Sequence, residues 1–290
     1  MTQIASPPVE STPAVSTEEK KPAGLADIQN SQDERNIAID NVGVKNIRYP
    51  IMVDDRSSGP QSTVGTVNMY VDLPHHFKGT HMSRFLEVLN AHKGAISASS
   101  LPEMLEAMLE RLDAETAHFS VDFTYFINKI APVTGAEGLM GFECGFEAAA
   151  GKEKDFILSV EVPVTTLCPC SKEISARGAH NQRGNVSVRV RFDDLVWIED
   201  VVEMVEASAS CALFPVLKRP DEKWVTETAY DNPRFVEDMV REVTLRLMAD
   251  ERIRWFEVHV ENFESIHAHN AYAYVERWKV GDPCGHSLRD

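Results

Sequence analysis

The stretch from Thr165 to Arg183, TTLCPCSKEISARGAHNQR, holds two cysteines and a histidine among several cations. Thiolate sulfur and imidazole nitrogen together suit Zn²⁺ or another first-row divalent ion. Cys168 and Cys170 are separated only by Pro169. That is not the spacing of thioredoxin-like sites or common zinc fingers, and the proline stiffens the link. One cysteine with the downstream His180 is therefore the better pair, as metal ligands or as nucleophile and base. A cysteine is also commonly just a small buried apolar residue, and the spacing alone leaves that reading open. Lys172, Arg177, Gln182 and Arg183 crowd the same stretch, as an anion-binding patch or as a solvated loop.

Three further clusters carry chemistry. Lys218 to Asp231 offers Glu222 and Glu227, ligands or surface charges. Glu237 follows two residues after Phe235, a core candidate, which suggests that it lies near an apolar helix face. Glu261 to His269, ENFESIHAH, places Glu264 three residues before His267, with His269 beyond. A carboxylate that accepts an imidazole proton fixes the tautomer and raises basicity, which suits a ligand or a general acid/base. Two histidines in a turn are equally compatible with plain exposure. The fourth cluster, His75, His76 and His81 with Lys78 and Arg84, reads as an anion site at a helix start or as a contact between subunits.

The elements that must position these residues follow from periodicity. Alternating β-branched runs predict strands at 42–53, 62–73, 117–130, 138–150, 155–166, 185–192, 252–262 and 271–280. Helical spacing predicts helices at 81–92 (Met82, Phe85, Leu86, Leu89), 101–116, 195–214 and 233–250 (Phe235, Met239, Val243, Leu247). Ser100 is placed to cap the second helix, with Glu103 completing a capping box. Thr165 to Arg183 falls between strands as a long loop, and Lys218 to Asp231 joins two helices. The order strand-strand-helix-helix-strand-strand thus occurs twice. It predicts an α+β chain of two modules, 25–150 and 151–290, each a four-stranded antiparallel sheet with one face under two helices. Residues 1–24, rich in Pro, Ser, Thr and Glu, predict a disordered tail. Two exposed edges per module predict a homo-oligomer, because a closed assembly would pair them.

Composition narrows the function. The 290 residues carry 45 acidic against 29 basic side chains, a formal net charge of −16. A polyanion would be repelled by the average surface, which argues against a nucleic-acid binder. A small anion can still be held where cations cluster in one cleft. No apolar run is long enough for a membrane span and no secretion signal opens the sequence, so five reduced cysteines in a cytoplasm are expected.

Residues 165–183, 221–238, 261–269 and 71–85 (VDLPHHFKGTHMSRF) together resemble the type IB GTP cyclohydrolases, over about residues 25 to 280. The resemblance implies hydrolysis of GTP to 7,8-dihydroneopterin triphosphate and formate, the first step of folate biosynthesis. It implies two tandem tunnelling-fold modules, a homotetramer, and dependence on zinc, manganese, iron or another divalent ion. By resemblance Cys168, His180 and Glu222 hold the metal. Glu237 anchors the purine ring, and Glu264 and His267 serve as acid/base or supporting groups. Lys78, Arg84, Lys172, Arg177 and Arg183 are the candidates for the triphosphate. The main alternative is a tunnelling-fold nitrile reductase using NADPH with Cys168 as covalent nucleophile. Another is a non-catalytic oligomer with a structural zinc.

Overall fold

The computed structural model describes residues 28–29, 31–92, 96–152 and 154–279; the tail expected at 1–24 lies outside them. Among the described residues nine strands form one antiparallel sheet, eight of them in the order β1 (Ile39–Val53), β2 (Gln61–Leu73), β3 (Thr116–Ile130), β4 (Glu137–Gly151), β5 (Asp155–Leu167), β6 (Asn181–Phe192), β8 (Ile253–Asn262) and β9 (Ala271–Trp278). The short β7 (Cys211–Ala212) pairs with β5 off this path. Helices α1 (Met82–Ala91) and α2 (Leu101–Leu112) connect β2 to β3. Helix α3 (Pro169–Ile174) lies between β5 and β6. Helices α4 (Ile198–Glu206), α5 (Arg219–Asp231) and α6 (Val236–Ala249) lie between β6 and β8.

Alternation decides which sheet face the helices cover. Val186, Val188 and Val190 of β6, Phe256, Val258 and Val260 of β8 and Val160, Val162 and Val164 of β5 are all fully buried. They pack with Leu101, Met104, Leu105 and Met108 of α2 and with Met239, Val243 and Leu247 of α6 in one continuous core. Each such side chain stabilises the fold by roughly 1.5–3 kcal/mol relative to exposure. The opposite face is polar. Arg189 of β6 bridges Glu147 of β4 (2.9 Å) and Glu257 of β8 (3.1 Å) across it.

The two four-strand runs are not separate sheets. β4 pairs with β5 from Glu143↔Glu161 to Ala149↔Asp155. Gly151, at φ +104, ends β4; a Cβ there would meet the Glu115 carbonyl oxygen at 1.9 Å, so only glycine fits this turn. Two of the four edges expected from separate modules are thereby satisfied within the chain, which leaves β1 and β9.

Several expected elements are shorter or shifted. The helix expected over 195–214 stops at Glu206, and Cys211–Ala212 returns to the sheet as β7. The helix after Leu101 ends at Leu112, where Asp113 turns left-handed at φ +52. Ser100 occupies the N-cap position, but its hydroxyl accepts the Ser97 N–H (2.9 Å) instead of capping the helix. Lys218–Asp231 is not a linker: with Pro220 in its first turn it is nearly all the helix α5. Met82 and Leu86 are exposed, whereas Phe85 and Leu89 are buried, so the stripe of α1 is narrower than its spacing implies. Phe235 is the N-cap of α6 and 37% exposed, so it is not a core residue.

Candidate active site

The stretch after β5 is not a plain loop. Pro169 starts the helix α3, whose N-cap is Cys168. The Cys168 sulfur accepts the Ser171 N–H at 3.5 Å. After α3 the chain returns to the sheet, where Leu167 pairs with Asn181. This pairing brings the expected residues together: the Cys168 N–H donates to the His180 carbonyl at 3.2 Å. Ser171 stitches them again, its hydroxyl donating to the Cys168 carbonyl (3.0 Å) and accepting the His180 N–H (3.1 Å). Cys168 and His180 are both half-buried, whereas Cys170 is exposed.

Backbone and side-chain bonds bring two other clusters to this point. Ser265, in the β8–β9 turn, has its hydroxyl 3.2 Å from His180 Nδ1. The Phe263 N–H donates to the Arg183 carbonyl at 2.9 Å. From the helical side, Arg234 N–H donates to the Leu167 carbonyl at 2.9 Å, next to Cys168. Lys172 Nζ donates to the Tyr230 carbonyl at 2.5 Å and lies 4.4 Å above the Tyr230 ring, tying α3 to the end of α5. Stretches far apart in sequence thus meet where β5 leaves the sheet.

The remaining candidates are placed less tightly. Glu237 lies in the first turn of α6, one turn beyond Arg234, and is exposed rather than set against the apolar face. Glu264 is half-buried and His267 exposed. No hydrogen bond joins them among the described residues; His267 instead stacks on His269, centroids 5.1 Å apart. Glu222 is exposed on α5, eight residues and about 12 Å of helix rise before Tyr230. Glu227 pairs with Lys223 at 2.5 Å. Among the described residues no three His, Cys, Asp or Glu side chains converge as a metal site. The donor types suit a divalent metal: a half-buried thiol and an imidazole on main chains joined by one hydrogen bond, the imidazole Nδ1 meeting the Gln182 oxygen at 3.1 Å.

His75 packs on His76 and His76 on Phe77, and Lys78 N–H donates to the Ser31 carbonyl, away from the α3 segment. Sequence reasoning missed Ser171, Ser265 and Arg234. Two of them act through the main chain or a backbone bond, and a lone serine in a turn carries no signal of its own. It also missed Asp221, fully buried beside Glu222. Asp221 accepts the N–H groups of Val133, Thr134 and Lys218 at 2.9 Å each and the Thr134 hydroxyl at 2.7 Å. Its position in the first turn of a Pro-started helix is the signal that could have found it.

Fold and site together define an α+β protein with a helix-backed antiparallel sheet and a thiol–imidazole segment at one sheet end. Solved structures share this architecture. A highly active mutant of Bacillus sp. TB-90 urate oxidase superposes with a TM-score of 0.51 at 6% identity, covering 83% of this chain and all of that one. A uricase from Bacillus fastidious gives 0.51 at 8% identity, over 85% and 95% of the two chains. At such identities the likeness is one of fold. Sequence is more specific: residues 25–273 match the family described as type I GTP cyclohydrolase folE2. The GTP cyclohydrolase FolE2 of Magnetococcus marinus is 61% identical over 253 residues, 87% of this chain and 96% of the relative. That of Syntrophotalea carbinolica is 57% identical over 252 residues, 87% and 95%. The chain belongs to the family of type I GTP cyclohydrolases.

Proposed function

We propose that this protein hydrolyses GTP to 7,8-dihydroneopterin triphosphate and formate, opening folate biosynthesis. The observation that carries the reading is the 61% identity across nearly the whole of a relative named GTP cyclohydrolase FolE2. The site is compatible with it. Water must add at C8 of guanine, the N-formyl intermediate must be hydrolysed to release formate, and the ribose must open, rearrange and reclose as the pterin ring.

Cys168 and His180 would hold a divalent ion, Zn, Mn or Fe, with Glu222 as third donor. When bound, such an ion lowers the pKa of water from roughly 15.7 to about 7 and polarises the attacked centre. Glu237, exposed at the start of α6, offers a carboxylate that can accept the N–H donors of the purine ring. Glu264 and His267, on the turn that Ser265 ties to His180, are the candidates to move protons during ring opening and reclosure. Lys172, Arg177 and Arg183 lie on or beside the α3 segment, where three positive charges suit a triphosphate in a protein of net charge −16; Lys78 and Arg84 stand apart in this chain.

The architecture reads as two tandem tunnelling-fold modules, 25–150 and 151–290, continuous through β4 and β5. The edges β1 and β9, with Tyr272 59% and Tyr274 45% exposed on β9, support self-association; we read the assembly as a homotetramer and the location as cytoplasmic. No helix among the described residues is long and apolar enough to cross a membrane.

Purified protein incubated with GTP and Mn²⁺ or Zn²⁺ should release formate and, after oxidation, give pterin fluorescence. Absence of both with every divalent ion tried would overturn the proposal.

A further inference from the structure

We infer that Gln182 is a positioning residue that fixes the tautomer of His180, so that the imidazole presents Nε2 to its ligand. The inference rests on the reading of His180 as a metal donor. Gln182 Oε1 lies 3.1 Å from His180 Nδ1. A carboxamide oxygen only accepts, so Nδ1 carries the proton in the neutral ring and the lone pair sits on Nε2. Ser265 Oγ, 3.2 Å from the same nitrogen, can accept from that N–H too, and so supports the choice without making it.

The placement of Gln182 is built into the sheet. It is the second residue of β6 and stands opposite Thr166, which is fully buried in β5. The ladder therefore holds the Gln182 main chain. His180 is held independently, through the Ser171 hydroxyl on its N–H and the Cys168 N–H on its carbonyl. With both backbones fixed, the Gln182 carboxamide oxygen is held within hydrogen-bond reach of His180 Nδ1. A ligating imidazole typically has its second nitrogen held by a fixed acceptor, and removing such an acceptor costs about 10–100-fold in metal affinity.

The test is Zn²⁺ competition against a chromophoric chelator on full-length wild type, His180→Ala, Gln182→Ala, Gln182→Glu and Ser265→Ala, with ¹⁵N NMR of the imidazoles in the metal-free proteins. Gln182→Ala should weaken Zn²⁺ binding by about 10–100-fold and mix the two His180 tautomers. Gln182→Glu, which keeps an acceptor, should restore both affinity and the Nδ1–H form. Ser265→Ala should weaken binding less than Gln182→Ala. Zn²⁺ bound as tightly by Gln182→Ala as by wild type, while His180→Ala has lost it, would overturn the inference and leave the metal reading standing. A Gln182→Glu variant as defective as Gln182→Ala would also overturn it. Zn²⁺ bound equally by His180→Ala and wild type would remove the metal reading itself, and the inference with it.

Discussion

The two halves of the sheet share a plan and differ in their connections. In the first half β1 turns directly into β2, and the β2–β3 link is just α1 and α2. In the second half the corresponding links are lengthened: α3 stands between β5 and β6, and β7 and α5 are added between α4 and α6. The additions carry Cys168, His180 and Glu222, while the strands and core helices do what their counterparts do. The core is a shared solution to burying a sheet face. The candidate site lies on the parts that can lengthen without disturbing that burial.

Cysteine offers the widest contrast between the halves. Cys144 lies inside β4, 5% exposed, and burial pushes its thiol well above the ordinary range. Cys168 sits half-buried at the head of α3. Cys168→Ala should abolish turnover while circular dichroism and oligomer size stay unchanged. Cys144→Ala should keep turnover and cost about 1 kcal/mol in a denaturant titration. Retained turnover in Cys168→Ala, or its loss in a folded Cys144→Ala, would break the division of labour.

The halves are also joined by an ion pair. Lys129 at the end of β3 meets Glu206 at the end of α4, with the two side chains only 13% and 12% exposed. Burial raises the Glu206 carboxyl, and the lysine works against that rise. Removing one partner leaves a buried charge alone, so Lys129→Met should destabilise by roughly 3 kcal/mol, whereas Lys129→Met with Glu206→Leu should come within about 1 kcal/mol of wild type. A carboxyl raised on folding contributes stability below its unfolded pKa and loses it as pH rises through the folded value. The deficit of the single variant should therefore grow with pH across that window. A deficit that shrinks with rising pH would contradict the assignment.

Much of this organisation was legible in the sequence, because apolar spacing is a direct image of burial. Val186, Val188 and Val190 alternate and are buried; Met104, Leu105 and Met108 recur at helical spacing and are buried. The pairing of β4 with β5 was not legible, since alternation says which face a residue takes and nothing about which strand lies beside it. α5 was missed because its face is polar nearly throughout: of its residues only Asp221 and Ala229 are buried. In the site, Cys168 and His180 were readable as a pair by residue type and proximity in sequence. The attachment of His180 to Ser265, 85 residues away, depends on a single hydroxyl contact that no local pattern announces.

Asp221 is the second joint between the halves, and it uses hydrogen bonds where Lys129 uses charge. Burial alone would raise its carboxyl. The Thr134 hydroxyl and the N–H groups of Thr134, Lys218 and Val133 outweigh burial and hold it well below the usual range. Asp221→Asn should lower Tm by roughly 5 °C. A carboxyl depressed on folding contributes stability above its unfolded pKa of about 3.9 and loses it as pH falls toward the folded value. The Tm gap should thus be full at pH 7 and close in acid, at pH values below the window in which the Lys129 deficit grows. A gap independent of pH would assign the joint to shape alone.

The smallest effect is expected within α5, between two glutamates five residues apart. Glu227 pairs with Lys223 four residues earlier, but both side chains are well exposed, 59% and 71%. Solvent screens such a pair and ordering two long side chains offsets its attraction, so Glu227→Ala should cost less than about 0.5 kcal/mol and leave turnover within twofold. Glu222 is exposed too yet is the one proposed to meet the metal, so Glu222→Gln should weaken Zn²⁺ binding with no change in Tm of the metal-free protein. If Glu227→Ala lowers Zn²⁺ affinity as much as Glu222→Gln does, the effect belongs to the negative potential of the whole helix face and no single donor on α5 can be assigned.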